Sequence, residues 1–295
     1  MTIRIQAEPS GFGAVVSGPD LTKPIDDETY KAIRAAFEEY SLLIFHDQPF
    51  TDETQVAFGE RFGPLEIVTK TRVGGGGGDM IADISNVNRE TDEILPVDGD
   101  VMVYRSGNEM WHTDSSFRDV PAMASMLSGR EVPPEGGETE FVSMRAAYKR
   151  LDAEQQAALE GLVAVHDYTY SRALVGSTLS PAQQKELPPA KQVVVRTNPA
   201  NGEKNFFTAS HASHIVGWPV EKGRDYMKEL VALATRPEDI YTHQWRQHDL
   251  VIWDNRCTLH RGRTWEKARY RRIMRRTTVA GDGPTVAIGS EAVGA

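Results

Sequence analysis

Trp111-His112-Thr113-Asp114-Ser115-Ser116-Phe117 is the stretch on which the fold and the chemistry turn. Among the eight histidines of this 295-residue chain, His112 alone has a carboxylate two positions on in a strand-like setting flanked by aromatics. In an extended backbone residues i and i+2 point to one face, so His112 and Asp114 can hold one metal ion from adjacent corners. A His-x-Asp pair by itself arises by chance in a chain of this size, and a third ligand has to come from elsewhere. His260 is the best placed. It closes the run Val251-Ile252-Trp253-Asp254-Asn255-Arg256-Cys257-Thr258-Leu259-His260, where a buried strand is expected to give way to a polar turn. Two histidines and one carboxylate leave three positions of a metal open, the facial triad of non-haem Fe(II) oxygenases. Taken alone, His260 reads more readily as a strand-end histidine bonded to backbone.

Further along, Arg271-Arg272-Ile273-Met274-Arg275-Arg276 sets four arginines in six residues. Arg272 and Arg276 fall on one face of a strand, and two guanidinium forks turned to one interior imply two acidic small molecules or one dianion. Arg271 and Arg275, on the opposite face, read as a solvated basic edge that discourages aggregation.

Around these stretches the chain divides by pattern. Up to about residue 63, short strand-like runs alternate with two amphipathic helices. Asp26 can cap the first, whose stripe is Tyr30, Ile33, Phe37 and Tyr40; Ser41 to Phe45 reads as a buried strand; Thr51 caps the second helix, which ends near Gly63-Pro64. Gly74 to Gly78 are five consecutive glycines, which read as a flexible surface loop or as a mobile lid over a site. Residues 99 to 142 look strand-like. A polar helical insert is expected from about 143 to 236, with a capping box at Asp152 and Gln155 and a helix from about Pro219 that buries Met227, Leu230, Val231 and Ala234. The last strands are expected at Leu250 to Trp253 and Arg272 to Val279. Strands at both ends of a helical insert predict one β-sandwich or barrel decorated with helices, a single domain over 1–295 with a tail from about 282.

Composition bounds the partners. Lys+Arg 33 against Asp+Glu 42 gives a net charge of −9, which speaks against nucleic acid and against an anionic membrane surface. An anionic substrate must then be captured by a local basic pocket. Cys257 is the single cysteine, so an internal disulfide and any multi-cysteine metal site are excluded and a reducing compartment fits. No signal-peptide pattern opens the chain and no apolar run reaches the roughly 18 residues of a membrane span. The cytoplasm is the expected location.

Taken together, these residues resemble the TauD/TfdA family of Fe(II)/2-oxoglutarate-dependent dioxygenases, which includes taurine dioxygenase and 2,4-dichlorophenoxyacetate dioxygenase. The similarity runs through Phe12-Gly13-Ala14-Val15-Val16, Arg61-Phe62-Gly63-Pro64-Leu65, Trp111 to Phe117, Gly136-Gly137-Glu138-Thr139, Asp254-Asn255-Arg256 and the arginine strand. Ala82-Asp83-Ile84-Ser85-Asn86-Val87, Asp114 to Phe117, Met144-Arg145-Ala146-Ala147-Tyr148, His211-Ala212-Ser213-His214 and His260-Arg261-Gly262-Arg263 resemble the dichlorophenoxyacetate branch more than the taurine one.

The resemblance implies an α+β fold with a double-stranded β-helix (jelly-roll) core and flanking and inserted α-helices. It implies His112, Asp114 and His260 as catalytic iron ligands, and Thr139 and Arg272 as the residues that bind the distal carboxylate of 2-oxoglutarate. The interval from His260 leaves Arg271 as a competitor for that role, and the Ile273-Met274 pair that follows favours Arg272. Arg276 matches the position that holds the substrate's acid group. Lys70, Ser115, His211 and His214 are further candidates for the substrate pocket; a second metal at His211 and His214 is disfavoured, and Lys70 reads more readily as a solvated lysine. The cofactors implied are Fe(II), 2-oxoglutarate and O2, with ascorbate as a supporting reductant. The reaction implied is hydroxylation of the carbon next to the ether oxygen of an aryloxyacetate such as 2,4-dichlorophenoxyacetate, giving a phenol, glyoxylate, succinate and CO2. The alternatives are the same chemistry on taurine, an alkylsulfonate or an alkyl sulfate ester, or a non-catalytic jelly-roll module that binds metal and 2-oxoglutarate. A zinc hydrolase with the same three ligands would leave Thr139 and the arginine forks without a purpose. We expect a homo-oligomer, a dimer or higher, that acts on a small anionic aromatic substrate, with no nucleic-acid or membrane partner.

Overall fold

Strands buried on both faces organise the molecule, whose computed structural model describes residues 2–71, 73 and 77–286. Seven strands form one sheet in the order Arg4–Ala7, Ala14–Ser17, Leu42–Phe45, Leu250–Asp254, Ala124–Glu131, Ile273–Val279 and Ile81–Ser85. Every pairing is antiparallel except Ala14–Ser17 with Leu42–Phe45. The apolar runs in its centre follow from burial on both sides, with successive side chains going to opposite faces. Leu43, Phe45, Met126, Leu250 and Ile252 join one core with Ile33, Phe37, Phe58 and Phe62. Leu42, Ile44, Leu127, Val251, Trp253 and Met274 join another with Phe141.

The first of these cores is roofed by the helices Asp27–Tyr40 and Asp52–Glu60. Both start where the sequence places them. The Asp26 carboxylate accepts from the Thr29 amide at 2.7 Å, and Thr51 and Thr54 cap each other reciprocally. The second core is closed by a smaller antiparallel sheet, Tyr241–His243, Thr139–Ser143 and Thr258–Gly262. Phe141 of that sheet meets Trp253 of the large one with ring centroids 5.5 Å apart. A one-residue bridge between His112 and His260 extends the small sheet by one more chain segment.

The structure corrects the sequence reading in three places. Residues 99 to 142 are not uniformly strand-like, because Asp100–Ser106 is a helix followed by a 3-10 turn at Gly107–Glu109. Val101 and Val103 carry the strand signal, but Met102 and Arg105, three apart, both turn inward, and this tertiary demand overrides propensity. The segment 143–236 is not a purely helical insert. Besides the helices Met144–Lys149, Ala153–Leu159, Tyr168–Ala173, Pro181–Glu186 and Val220–Ala234 it holds a sheet of Ala212–Ile215, Val163–His166 and Ala190–Val193 and a hairpin of Val195–Thr197 with Lys204–Phe206. These strands have three or four residues each, too short for a period to register. The capping box at Asp152 and Gln155 is present, and Met227, Leu230 and Ala234 are buried with Val231 packed beside them. Finally, His260 lies inside a strand of its own, Thr258–Gly262, not in a turn at the end of the preceding one.

Of the glycine run, Gly74, Gly75 and Gly76 lie outside the described residues, as does the tail from 287 onward. No helix among the described residues is long and apolar enough to cross a membrane.

Candidate metal centre and its two cavities

Two backbone hydrogen bonds join the histidines that the sequence singles out. The His112 amide donates to the His260 carbonyl at 3.0 Å and the His260 amide donates back at 2.8 Å. The two rings therefore project from directly opposed positions, with centroids 4.1 Å apart. Asp114, two residues on, brings its carboxylate to both: Oδ1 is 3.9 Å from His112 Nε2 and Oδ2 is 3.8 Å from His260 Nε2. One donor atom from each of the three residues lies within 4.8 Å of the other two, and all three residues are buried.

Neighbouring groups fix these donors in the form a metal needs. His112 Nδ1 lies 2.8 Å from the Met110 carbonyl, which can only accept; the ring is protonated there and its Nε2 lone pair is free. Burial holds His112 and His260 below the ordinary histidine pKa, so both rings stay neutral. Burial alone would raise Asp114, but the charge beside it, Arg276 foremost, outweighs this and carries the carboxyl down to about 2. Ser125 donates to Asp114 Oδ2 at 2.7 Å, and the Arg276 guanidinium donates to Oδ1. Asn255 holds the segment from behind: its Oδ1 accepts from the Asp114 amide at 3.1 Å and from the Trp253 indole at 2.9 Å. Two neutral imidazoles and one carboxylate, with convergent free donors, fit a divalent iron with an open face.

Two cavities meet at this centre, and both are lined by Ile84, Arg105, Asn108, His112 and Arg276. The first, about 710 Å³ including its solvent-filled mouth, runs past His260 to Thr139, Trp265 and Arg272. Arg272 is 6% exposed and, among the described residues, makes no ion pair; its Nε donates to the Gly137 carbonyl at 3.1 Å. Burial lowers its pKa to about 10, which leaves it a full cation at neutral pH. The Gly136-Gly137 turn is what allows this. Gly137 has φ +72°, and a Cβ there would stand 3.1 Å from Arg272 Cδ and Nε. Thr139 accepts a 2.9 Å hydrogen bond from the Trp245 indole.

The second cavity, about 800 Å³ including its solvent-filled mouth, is walled by Tyr104, Phe117, Tyr168 and His211 and bounded by Glu66, Ser115, Arg118 and Arg172. Phe117 and His211 meet edge to face at 4.9 Å, and the Tyr104 and Tyr168 hydroxyls are 2.6 Å apart. Ser115, at φ +55°, donates to Glu66 Oε2 at 2.6 Å. Burial pushes the Glu66 carboxyl up.

Sequence-predicted residues divide accordingly. His112, Asp114, His260, Thr139, Arg272, Arg276, Ser115 and His211 all line one cavity or the other. Lys70 does not: its side chain is exposed, and its backbone amide is tied to Glu186 at 2.7 Å. His214 does not either, since it stands on the strand Ala212–Ile215 against Ser213. Arg271 and Arg275 are spent on acids outside the cavities, Arg271 on Asp92 and Glu131, Arg275 on Asp83. Tyr104, Arg105, Tyr168, Arg172, Trp245 and Trp265 were not singled out by the sequence. They come from helices and loops scattered along the chain, and no local spacing marks them.

Comparison with known proteins gives a consistent set. A family model described as taurine catabolism dioxygenase TauD, TfdA family matches residues 5–278. An alpha-ketoglutarate-dependent 2,4-dichlorophenoxyacetate dioxygenase of Cupriavidus pinatubonensis is 42% identical over 272 residues, covering 91% of this chain and 94% of the relative. An (S)-phenoxypropionate/alpha-ketoglutarate-dioxygenase of Sphingobium herbicidovorans is 36% identical over 279 residues, covering 92% of each. The crystal structure of AAD-2 in complex with Mn(II) and N-oxalylglycine superposes with a TM-score of 0.89 at 41% identity, covering 97% of this chain and all of that one.

Proposed function

This chain belongs to the taurine catabolism dioxygenase TauD, TfdA family, and from that premise we propose that it cleaves aryloxyacetates by hydroxylating the carbon beside the ether oxygen. It is an Fe(II)- and 2-oxoglutarate-dependent dioxygenase. Iron and 2-oxoglutarate, when bound, supply the oxidising chemistry, with O2 as the second co-substrate and succinate and CO2 as the by-products. The protein's part is to place groups and to exclude water.

In this reading His112, Asp114 and His260 hold the iron on one face. Thr139 and Arg272 take the far carboxylate of 2-oxoglutarate at the end of the first cavity. That cavity is lined by cations and has the metal ligands at its other end, which suits a short dicarboxylic acid laid lengthwise. Arg276 borders both cavities and faces the substrate's acid group. Loss of the hydroxylated product's hemiacetal proton releases the phenol and leaves glyoxylate.

The observation that carries the substrate class is the second cavity. Its aromatic wall of Tyr104, Phe117, Tyr168 and His211 stands beside a cation and within reach of the metal ligands. A flat aryl ring with a short acidic arm matches that wall, whereas taurine or an alkyl sulfate would leave it unfilled. We also propose that the two facing sheets form a double-stranded β-helix, that residues 1–295 act as one dioxygenase domain, and that the enzyme is a cytoplasmic homo-oligomer.

The test is succinate formation from 2-oxoglutarate under air with Fe(II) and ascorbate, with 2,4-dichlorophenoxyacetate, taurine or an alkyl sulfate added separately. Stimulation by the aryloxyacetate with matching phenol release is the expected result. Stimulation by a sulfur acid alone would keep the mechanism and replace the substrate.

A further inference from the structure

Four arginines line the second cavity, and three of them have a carboxylate counter-ion. Arg276 is paired with Asp114, Arg105 with Asp83 at 3.4 Å, and Arg118 with Glu66 at 3.6 Å. Arg172 is the exception. Among the described residues it makes no ion pair, although it is 2% exposed. Its Nη1 donates to the Tyr104 carbonyl at 2.8 Å, its Nε is buried without a partner, and its guanidinium lies 4.7 Å from the Tyr168 ring centroid and 5.3 Å from that of Tyr104. Aromatic faces and one carbonyl do not neutralise a buried cation, and a buried charge left without its opposite is costly unless a ligand completes it.

We propose that Arg172 is the second anion anchor of the substrate cavity, which takes the carboxylate of the aryloxyacetate and so determines that the enzyme selects acids over neutral aryl ethers. This rests on the aryloxyacetate reading above. Arg276, which that reading gives to the substrate's acid, already has the Asp114 carboxylate beside it, whereas Arg172 is the cavity cation with no acid beside it among the described residues and so adds a second positive anchor. The tyrosine rings beside the guanidinium hold it at the aromatic wall, so an acid held there brings its own ring alongside Tyr168 and Phe117. The helix that carries it, Tyr168–Ala173, is anchored by Asp167, whose side chain accepts from the Thr169 and Tyr170 amides, which fixes the guanidinium's origin.

The experiment is calorimetric binding to enzyme loaded with Mn(II) and N-oxalylglycine, where no turnover occurs. The probes are 2,4-dichlorophenoxyacetate and its primary amide, on wild type, Arg172→Met and Arg172→Lys. The expected result is a ~30-fold weaker acid in Arg172→Met, about what one charge-assisted hydrogen bond contributes, with amide binding unchanged. Arg172→Lys should lose less than tenfold, and methylguanidinium should restore part of the loss in Arg172→Met. N-oxalylglycine affinity reports whether each variant is folded. Wild-type binding of the acid with an unchanged Arg172→Met affinity would overturn the anchor alone, as would equal losses for acid and amide. A wild-type protein that binds no aryloxyacetate would overturn the functional reading and the anchor with it.

Discussion

The Trp245 indole donates a 2.9 Å hydrogen bond to the Thr139 hydroxyl oxygen, and this decides which way that hydroxyl can act. With a lone pair occupied, Thr139 is left to donate its own proton into the first cavity. Trp245→Phe should therefore raise the 2-oxoglutarate KM about fivefold, the weight of one neutral hydrogen bond, with kcat little changed. Titration of 2-oxoglutarate at saturating substrate measures it, and an unaltered KM would remove Trp245 from the site's support.

Arg272 and Arg276 should separate in the same assay. Arg272→Ala is expected to raise the 2-oxoglutarate requirement ~10–100-fold, since it removes the cation at the end of the first cavity. Arg276→Ala should raise chiefly the requirement for the prime substrate. Phenotypes exchanged between the two would reverse the assignment of the two forks.

Asp254 makes a prediction about pH. It is fully buried, held by Arg256 at 2.8 and 2.9 Å and by Arg145 at 3.1 Å. Burial opposes its ionisation, but Arg256 and Arg145 outweigh this and leave its pKa below the ordinary value. A carboxylate whose pKa is lower folded than unfolded releases its proton more readily in the native state, so the unfolded chain binds more protons between the two values and stability rises with pH there. Its contribution is complete above about pH 4, the unfolded value, and is lost as pH falls through the folded one. Asp254→Asn should cost ~3 kcal/mol at pH 7, because two buried arginines lose their shared buried counter-ion and keep only the less buried Glu38 and Glu203. Denaturant titrations should show that gap constant from pH 8 to about 5 and shrinking below about 4. A gap that persists at pH 3 would show that packing, not charge, is what Asp254 supplies.

Cys257 should be inert. The thiol is fully buried, and burial together with Asp254 pushes its pKa up to about 12. Thiol reagents should find no reactive group in the native enzyme and one per chain in denaturant, with activity unaffected by prolonged alkylation. Rapid native labelling would mean that the core around Ser41 and Asp254 opens.

How much of this was legible in the sequence depends on whether the signal was local. His112, Asp114 and the arginines were readable because their spacing is short and local, although Asp114 sits in a turn just past the bridge at His112 and Arg272 just before the strand Ile273–Val279. His211 and His214 could not be separated in this way: His211 precedes the strand Ala212–Ile215, the register shifts between Ala212 and His214, and only His211 reaches the cavity. Lys70 carried charge and proximity to the glycines but no periodicity that could point it inward. Arg172, Tyr168 and Tyr104 were invisible for a different reason. They sit on two short helices whose apposition is decided by tertiary packing, and Asp100–Ser106 even carries the valines of a strand.

The paired amides and carbonyls of His112 and His260 have one more consequence. Segments distant in the chain are stitched together at the ligands themselves by main-chain bonds, which need no ion to form. Assembly should then precede loading: the socket exists before its occupant, and a chelator should empty it without unravelling it. Iron delivery becomes a docking event on a finished protein, so inactive enzyme starved of metal can be recharged rather than made again.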